Sequence, residues 1–543
     1  MSIGDEDIKF LIDRNEKLKG IRQLYEPLWE EIAEYIFPRR VGIGSKPAEG
    51  QKQTTHLYDS SAIHSNELLA ASMHGTLTPS ASKWFSLKLR DERLNTIKEV
   101  MDWLEICADR MYLTIRQSNF NSEVHEVYLD QGAFGTGCYL IEEKPIKHIG
   151  FNGIEFKALV NSEYCIDEDA EGRVDTLFRE FELTARAAIK KFGEENVGKR
   201  VKENSDKEPD KKYTFLHCVY PGTEKGDKPS VSYYIGVEDK NMISEGGYYE
   251  FPYQVPRWSK SSGEIYGRGP GHTALPDVKT LNKAKEFGLK AWAKDLDPPT
   301  FERNNDVIGS LKMYPGGRNI ARDKDSIWVL DHKVRYDVSQ IKEEELRQSI
   351  RQIFYSDQLK LQEGPEMTAT EVQVRYELMQ RLLGPTIGRD ESELLNPTIE
   401  RIFGIMMRAR VLPPPPLILS RMGIREIDIE YEGPLAKAQR MSEVVGMQKL
   451  FAMGGQVAQI FPQIFDNCDG DIAFRNAGEI LGVSSKIIRS EEEVHKIREE
   501  RARAQAEEQK KQDLERLSMG VKNITPALKA LPEMAAGGKE AKA

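Results

Sequence analysis

Proline and glycine punctuation between residues 341 and 416 constrains the fold more than any other stretch of this chain. From Glu363 to Pro416 the run reads EGPEMTATEVQVRYELMQRLLGPTIGRDESELLNPTIERIFGIMMRARVLPPPP. Thr368 and Glu371 fit a capping box, in which a hydroxyl and a carboxylate three residues apart serve the free N–H groups of a helix start. Val372, Tyr376, Met379 and Leu383 follow at helical steps and form one apolar stripe. Asp390 and Glu393 offer a second helix start, with Leu395, Ile399, Ile402, Phe403 and Met406 as its stripe. Pro397 is expected to bend that helix, because it lacks an N–H and crowds the preceding turn. The segment is architecture, with no catalytic chemistry in it.

Upstream, Ile21, Leu24, Tyr25, Leu28, Trp29, Ile32 and Ile36 give an apolar helical face over residues 8–37, interrupted at Pro27 and stopped at Pro38. A polar loop follows at 41–55, then a helix from about Ser60 to His74 that ends at Gly75 and Pro79. The spacing of Ile97, Val100, Met101, Leu104, Ala108, Met111, Tyr112 and Ile115 predicts another helix. From Cys138 to Pro256 the pattern changes to short strands: CYLIEE, IEFKAL, TLFREFEL, YTFLHCVY and VSYYIGV, with a short helix in LTARAAIKKFG. Helices are then expected at 276–295 and 339–362, separated by a small insert of turns and strands. Beyond Pro416 the chain is helical again, and 491–517 is so charged that it suits a solvent-exposed helix held by opposite-charge pairs. The last residues, rich in Ala, Gly and Lys, read as a disordered tail.

A chain of 543 residues exceeds what one hydrophobic core supports, so several lobes are expected. Its hydrophobic content is 39% and its net charge −10, so it lacks the global basic footprint of a protein that grips DNA. That balance weighs against a repressor or nuclease and is compatible with a channel along which DNA slides. No apolar run is long enough for a membrane helix, and the start, MSIGDEDIKF, lacks the order of a secretory signal. Cys107, Cys138, Cys165, Cys218 and Cys468 are scattered without a C-x-x-C pair, which argues against disulfides and structural zinc. DEDAEGRVD (167–175) has a superficial calcium-loop pattern, but Phe178 stands where the twelfth-position Glu belongs, so a turn between strands is expected. GRGPGHTALP (267–276) is read as a turn that starts a helix, since no G-x-x-x-x-G-K-[ST] occurs. No H-E-x-x-H and no nucleophile–base constellation is present either, so no catalytic residue, metal site or cofactor is assigned.

On the helix expected at 276–295, Lys279, Lys283, Lys290 and Lys294 fall within about 60° of one another at 100° per residue. Leu281, Ala284, Ala291 and Trp292 fall opposite, and Glu286 interrupts the stripe within reach of Lys283 or Lys290. One reading is an ordinary solvated face. The other is a set of charges that a ring of subunits would repeat around an axis, to meet phosphates or an acidic partner.

Taken in order with RNEKLKGIRQLYEPLWEEIAEYIFPRR and LYDSSAIHSNELLAASMHGTLTPSASKWFSL near the N-terminus, the 341–416 segment resembles the head-to-tail connector, or portal protein, family of short-tailed, podovirus-type bacteriophages. The resemblance spans roughly Arg14 to Glu432. It implies an α+β portal fold that assembles as a homo-oligomeric ring, expected to be a dodecamer, at one capsid vertex of the virion. On that plan 1–275 and part of 363–432 form a wing, 276–295 and 339–362 a stem, 296–338 a clip, and 433–517 a helical crown, with 518–543 the tail. The implied partners are the major capsid protein and scaffold, the terminase large subunit, a tail adaptor protein and the double-stranded DNA of packaging and ejection. No membrane insertion is implied, and the protein would be made in the bacterial host cytoplasm. Gln362, Glu363, Gly364, Pro365 and Glu366 match the position of a channel loop, with 382–390 as a rival, and a simple helix–helix turn remains open. Arg303, Asn304, Asn305, Arg318 and Arg322 are clip candidates for contacts to terminase or adaptor, on polarity and position alone. Two other classes stay open: another virion structural protein, such as a scaffold or tail component, and a DNA-processing enzyme.

Overall fold

The structure, a computed structural model, describes residues 5–44, 57–80, 83–145 (without 90 and 96), 150–222, 228–296, 383–422 and 434–458, shorter stretches at 300–302, 327–329, 336–359, 427–431, 461–481 and 493–512, and a few isolated positions. It divides into two compact units, residues 1–92 with 103–439, and residues 93–102 with 440–543.

The chain begins with α1 (Asp5–Arg22) and α2 (Glu26–Tyr35), and Pro27 lies in the first turn of α2, where a missing N–H leaves nothing unpaired. A 3-10 turn, Pro38–Arg40, ends the run. α3 (Ser61–Leu77) passes through Gly75, beyond the expected stop, because Leu77 continues its buried face. Next come β1 (Phe85–Leu89), the short α4 (Glu92–Asn95), α5 (Lys98–Gln117) and α6 (Phe120–Phe134). α6 is buried on almost every side, from Phe120 and Val124 to Tyr128, Asp130 and Phe134. It ends at Gly135, which takes a φ of 74° and packs so closely on Arg268 and Gly269 that a side chain there would strike their backbone.

The strand-rich region contains β2 (Tyr139–Glu143), β3 (Ile154–Ala158), β4 (Tyr164–Glu168), β5 (Val174–Thr184), α7 (Ala185–Phe192), α8 (Lys199–Lys207), β6 (Lys212–Pro221), β7 (Ser230–Gly236), β8 (Asn241–Tyr248) and β9 (Tyr253–Gln254). One antiparallel sheet runs β4-β5-β6-β7-β8 and a smaller one β3-β2-β9. Alternation along the strands gives the large sheet two apolar faces. α1 covers one with Ile8, Leu11 and Leu18 against Phe178, Leu216 and Ile235. α7 and α8 cover the other, where Ala185, Ala188 and Val201 meet Phe181, Tyr213 and Phe215. The DEDAEGRVD segment is the β4–β5 turn, as expected, with Asp169 Oδ1 accepting the N–H groups of Glu171 and Arg173 at 2.8 Å each.

α9 (Pro270–Leu296) starts earlier than the sequence suggested, and Pro276 lies inside it. Packing of its first half, through Gly271, Ala274, Leu275, Val278 and Leu281, outweighs the lost proline hydrogen bond. β10 (Thr300–Glu302) and β11 (Ile327–Val329) pair antiparallel. α10 (Tyr336–Ile353) packs along α9 and stops short of the expected Gln362, because Tyr355 turns left-handed at φ 58° before α11 (Ser356–Leu359).

α12 (383–390) continues through a π-helical turn, Glu391–Leu395, into α13 (Asn396–Arg408). Asp390 therefore does not start a helix: it is helical itself, and its carboxylate points into the core and bonds to Gln131 instead of capping. Pro397 sits in the first turn of α13, and the irregularity falls ahead of it as the π turn. The expected stripe holds, with Leu395, Ile399, Ile402 and Met406 buried. α14 (Leu417–Met422) leads to β12 (Ile427–Tyr431), which pairs with β1 in the register Leu87 opposite Ile429. α15 (Pro434–Val457) and α16 (Gly470–Ile480) follow. In the second unit α16 is joined to the helix at 493–512 by Arg498, which holds Asp471 through both guanidinium nitrogens at 2.6 and 2.7 Å. The capping box at Thr368 and its stripe up to Met379 lie outside the described residues.

Candidate functional site

The lysine stripe exists as the helical period requires: Lys279, Lys283, Lys290 and Lys294 are all exposed on α9. Its charge is largely answered within the subunit. Glu286 takes Lys283 at 2.8 Å and Lys290 at 2.5 Å, and these two bonds hold its carboxyl down to about 2. Lys279 reaches across to Glu31 of α2 at 3.0 Å. Of the four, only Lys294 has no carboxylate partner among the described residues. Trp292 is not buried on the opposite side. It is 56% exposed, as are Phe287, Leu289 and Leu296 to a similar degree, so the second half of α9 carries apolar side chains that the subunit leaves uncovered.

The base of the α9–α10 pair is fixed by a cluster that sequence reasoning missed. Asp59, just ahead of α3, accepts from Ser61 N–H at 2.8 Å, from Lys285 of α9 at 3.0 Å and from Arg347 of α10 at 3.1 Å. Burial alone would raise its pKa, but these donors pull it down to about 2. Asn282 of α9 completes the tie by accepting the backbone N–H groups of Tyr58 and Asp59 at 2.8 and 3.1 Å. The only local signal was an Asp two residues before a Ser at a helix start.

A second cluster holds the segment around the π turn. Arg257 is fully buried, bonds Glu393 with two nitrogens at 3.2 and 2.7 Å, and reaches Glu168 at 2.9 Å. Lys260 adds a 2.6 Å bond to Glu168. Beside it Asp390 accepts from Gln131 at 2.6 Å, while its other oxygen has no partner among the described residues, and burial pushes its carboxyl up to about 8. Nothing in local sequence spacing joins residues so far apart.

The channel-loop candidates Gln362, Glu363, Gly364, Pro365 and Glu366 and the clip candidates Arg303, Asn304, Asn305, Arg318 and Arg322 lie outside the described residues. The rival loop at 382–390 is helical wherever it is described, over 383–390. Among the described residues no group of His, Cys, Asp or Glu is arranged to hold a metal ion, and no helix is long and apolar enough to cross a membrane.

Residues 9–488 match the family described as bacteriophage head to tail connecting protein. The chain belongs to that family. Two relatives align over most of their length: a probable portal protein of Bordetella phage BPP-1, 29% identical over 520 residues, and the portal protein of Salmonella phage epsilon15, 27% identical over 519. Each alignment covers 91% of this chain and 91% of the relative. Among solved structures, a chain from the neck of an empty GTA particle aligns with 73% of this connector and 90% of its own length, at 11% identity and a TM-score of 0.35. The α+β architecture with antiparallel sheets stands on the structure itself.

Proposed function

We propose that this chain is a phage portal subunit, copies of which form a ring at one capsid vertex and frame the channel for packaging and ejecting double-stranded DNA. The family match over residues 9–488 carries this reading, and the two portal relatives, each aligned over 91% of the chain, support it. The protein is structural and belongs to the virion, at the junction of head and tail.

The finer assignments follow the family plan. The ring has twelve subunits in head-to-tail contact around the axis, an arrangement that closes only when the rotation between neighbours is uniform. α9 and α10 are the stem, the β10–β11 region the clip, the region up to residue 275 the wing and the helices after 433 the crown. Apolar Phe287, Leu289, Trp292 and Leu296, left uncovered in the single subunit, suit a stem that neighbours complete. The clip receives the terminase large subunit first and the tail adaptor later, while the wing meets the major capsid protein and scaffold. Synthesis takes place in the cytoplasm of the bacterial host. With two carboxylates set against four lysines, the α9 stripe is weakly positive and lets DNA slide without holding it.

Electron microscopy with native mass measurement tests the reading. Rings with a duplex-wide hole and a mass of twelve chains are expected. A compact monomer that cleaves DNA, under conditions in which heads assemble, overturns it.

A further inference from the structure

A cleft of about 870 Å³ opens in the strand-rich region, with no residue of α9 or α10 in its lining. Its walls are β5 and α7 on one side, β2 and β3 on another, and α13 on the third, all within one compact unit. In a chain of net charge −10, seven Lys and Arg side chains line this cleft against three carboxylates.

Some of that positive charge is already used. Arg408 holds Glu250 through two bonds of 2.6 Å, and Arg179 holds Glu163 at 3.0 Å. Arg401, buried beneath the floor, donates to the backbone oxygens of Ile141 and Glu250 at 2.9 and 2.8 Å and stacks its guanidinium 4.8 Å from the Tyr248 ring. Lys157, Lys190 and Lys191 are different, since none of them meets a carboxylate among the described residues. Lys191 instead lies over the Phe181 and Tyr234 rings, 5.3 Å from each centroid. Burial lowers the pKa of both Lys157 and Lys191, and the charge of Arg179 lowers them further. Glu142 and Glu155 offset part of this for Lys191, and Glu163 and Glu142 for Lys157, but burial outweighs them and no carboxylate among the described residues closes on either ammonium. At the rim Tyr249, 56% exposed, is flanked by Lys228 at 5.2 Å and Arg408 at 4.9 Å and offers a flat apolar surface between two cations.

We infer that this cleft is a docking site for an acidic, extended peptide segment of a partner protein, held by Lys157, Lys190 and Lys191. The volume lies within the roughly 300–1,000 Å³ usual for sites that enclose small ligands, which suits a short stretch of chain and excludes a folded domain or a duplex. The carboxylates choose between a peptide and a nucleic-acid strand. Glu143 and Glu155 stand beside the lysines without hydrogen-bond partners among the described residues, whereas Glu142 already accepts from the Tyr234 and Tyr248 hydroxyls at 3.2 and 3.3 Å. A peptide brings its own carboxylates for the lysines and backbone N–H donors for Glu143 and Glu155. A phosphodiester strand brings only acceptors and charge along its backbone, and these glutamates repel it. The site is built from one subunit's residues, so the inference does not depend on the portal reading.

The test uses the assembled full-length protein and two fluorescein-labelled probes, an Asp/Glu repeat peptide and a single-stranded oligothymidine, followed by anisotropy at low and high salt. The peptide is expected to bind, to weaken with salt, and to lose roughly tenfold or more in affinity in a Lys157→Glu/Lys190→Glu/Lys191→Glu variant. A triple Lys→Gln variant, gentler on the fold, is expected to lose less but in the same direction. Lys279→Glu with Lys294→Glu, the same kind of change on α9, is expected to leave peptide binding as it was. Equal peptide binding by wild type and both triple variants overturns the inference. So does oligothymidine that binds more tightly than the peptide and displaces it from the cleft.

Discussion

Asp390 gives the sharpest stability experiment in this connector. Its carboxyl is completely buried, one oxygen accepts from Gln131, the other has no partner among the described residues, and Glu391 and Glu393 repel its charge while Arg389 only partly offsets them. Burial, the largest cause, raises the pKa from 3.8 to about 8. In the unfolded chain the group releases its proton above pH ~4, whereas the folded chain keeps it until pH ~8. The folded state thus binds the extra proton across that window, and stability falls as pH rises through it. Each pH unit is worth about 1.4 kcal/mol, so between about pH 5 and pH 8 the loss reaches at most roughly 4 kcal/mol. Asp390→Asn keeps the shape and the Gln131 bond but never ionises. Urea unfolding of both proteins across this range should show a variant close to wild type at low pH and more stable by about 2–4 kcal/mol near pH 8. A gap that stays constant with pH would mean that Asp390 is already ionised in the fold, and the reasoning would fail.

Arg257→Met removes both side-chain bonds to Glu393, which keeps only the backbone N–H of residue 257 at 2.9 Å and Arg389 at 3.5 Å, and leaves Glu168 only Lys260, so a loss of about 3 kcal/mol is expected in urea unfolding, and a loss below about 1 kcal/mol would refute the role given to this latch. Asp59 has the opposite sign to Asp390: its folded pKa of about 2 lies below 3.8, so its contribution is present above pH ~4 and fades as pH falls towards 2. Asp59→Asn should remove that acid dependence and speed amide exchange in α9 and α10, and unchanged exchange there would show that the tie does not fix the helix pair. Glu286→Gln frees Lys283 and Lys290, and rings carrying it should bind DNA more tightly, with a salt dependence steeper by about one for each phosphate gained. An identical salt slope would mean that this face does not meet DNA. Alanine at Lys279, Lys283, Lys290 and Lys294 together should leave rings intact while lowering retention of packaged DNA, and full retention would end the channel role of the stripe.

Much of the fold was legible because periodicity reports one-sided burial. The helices around Trp29 and Met111 each bury one face, and the strands around Phe178 and Cys218 are short apolar runs buried on both faces, and the sequence pattern said so. α6 escaped because it is buried nearly all round and carries no stripe to read. β8, with its run Ser244, Glu245, Gly246, Gly247, is too polar to announce itself, and β4 was hidden in the acidic turn that follows it. In the candidate site, the α9 lysines and the Glu286 pairing followed from helix geometry. Their further partner Glu31 and the clusters around Asp59, Arg257 and Asp390 did not, since each joins residues that only the tertiary fold brings together.

The pairing of β1 with β12 also sets a timetable. Leu87 meets Ile429, so roughly 340 residues must be synthesised after the first strand before its partner exists. At roughly 5–20 residues per second the ribosome takes about 20–70 s to supply it. For that interval FSLKL waits as an open strand edge with a hydrophobic face, an invitation to pair with another nascent chain. Slow or crowded synthesis is therefore expected to lose subunits to aggregation before β12 arrives, and a host chaperone that shields residues 85–89 would raise the yield of soluble connector without touching the finished structure.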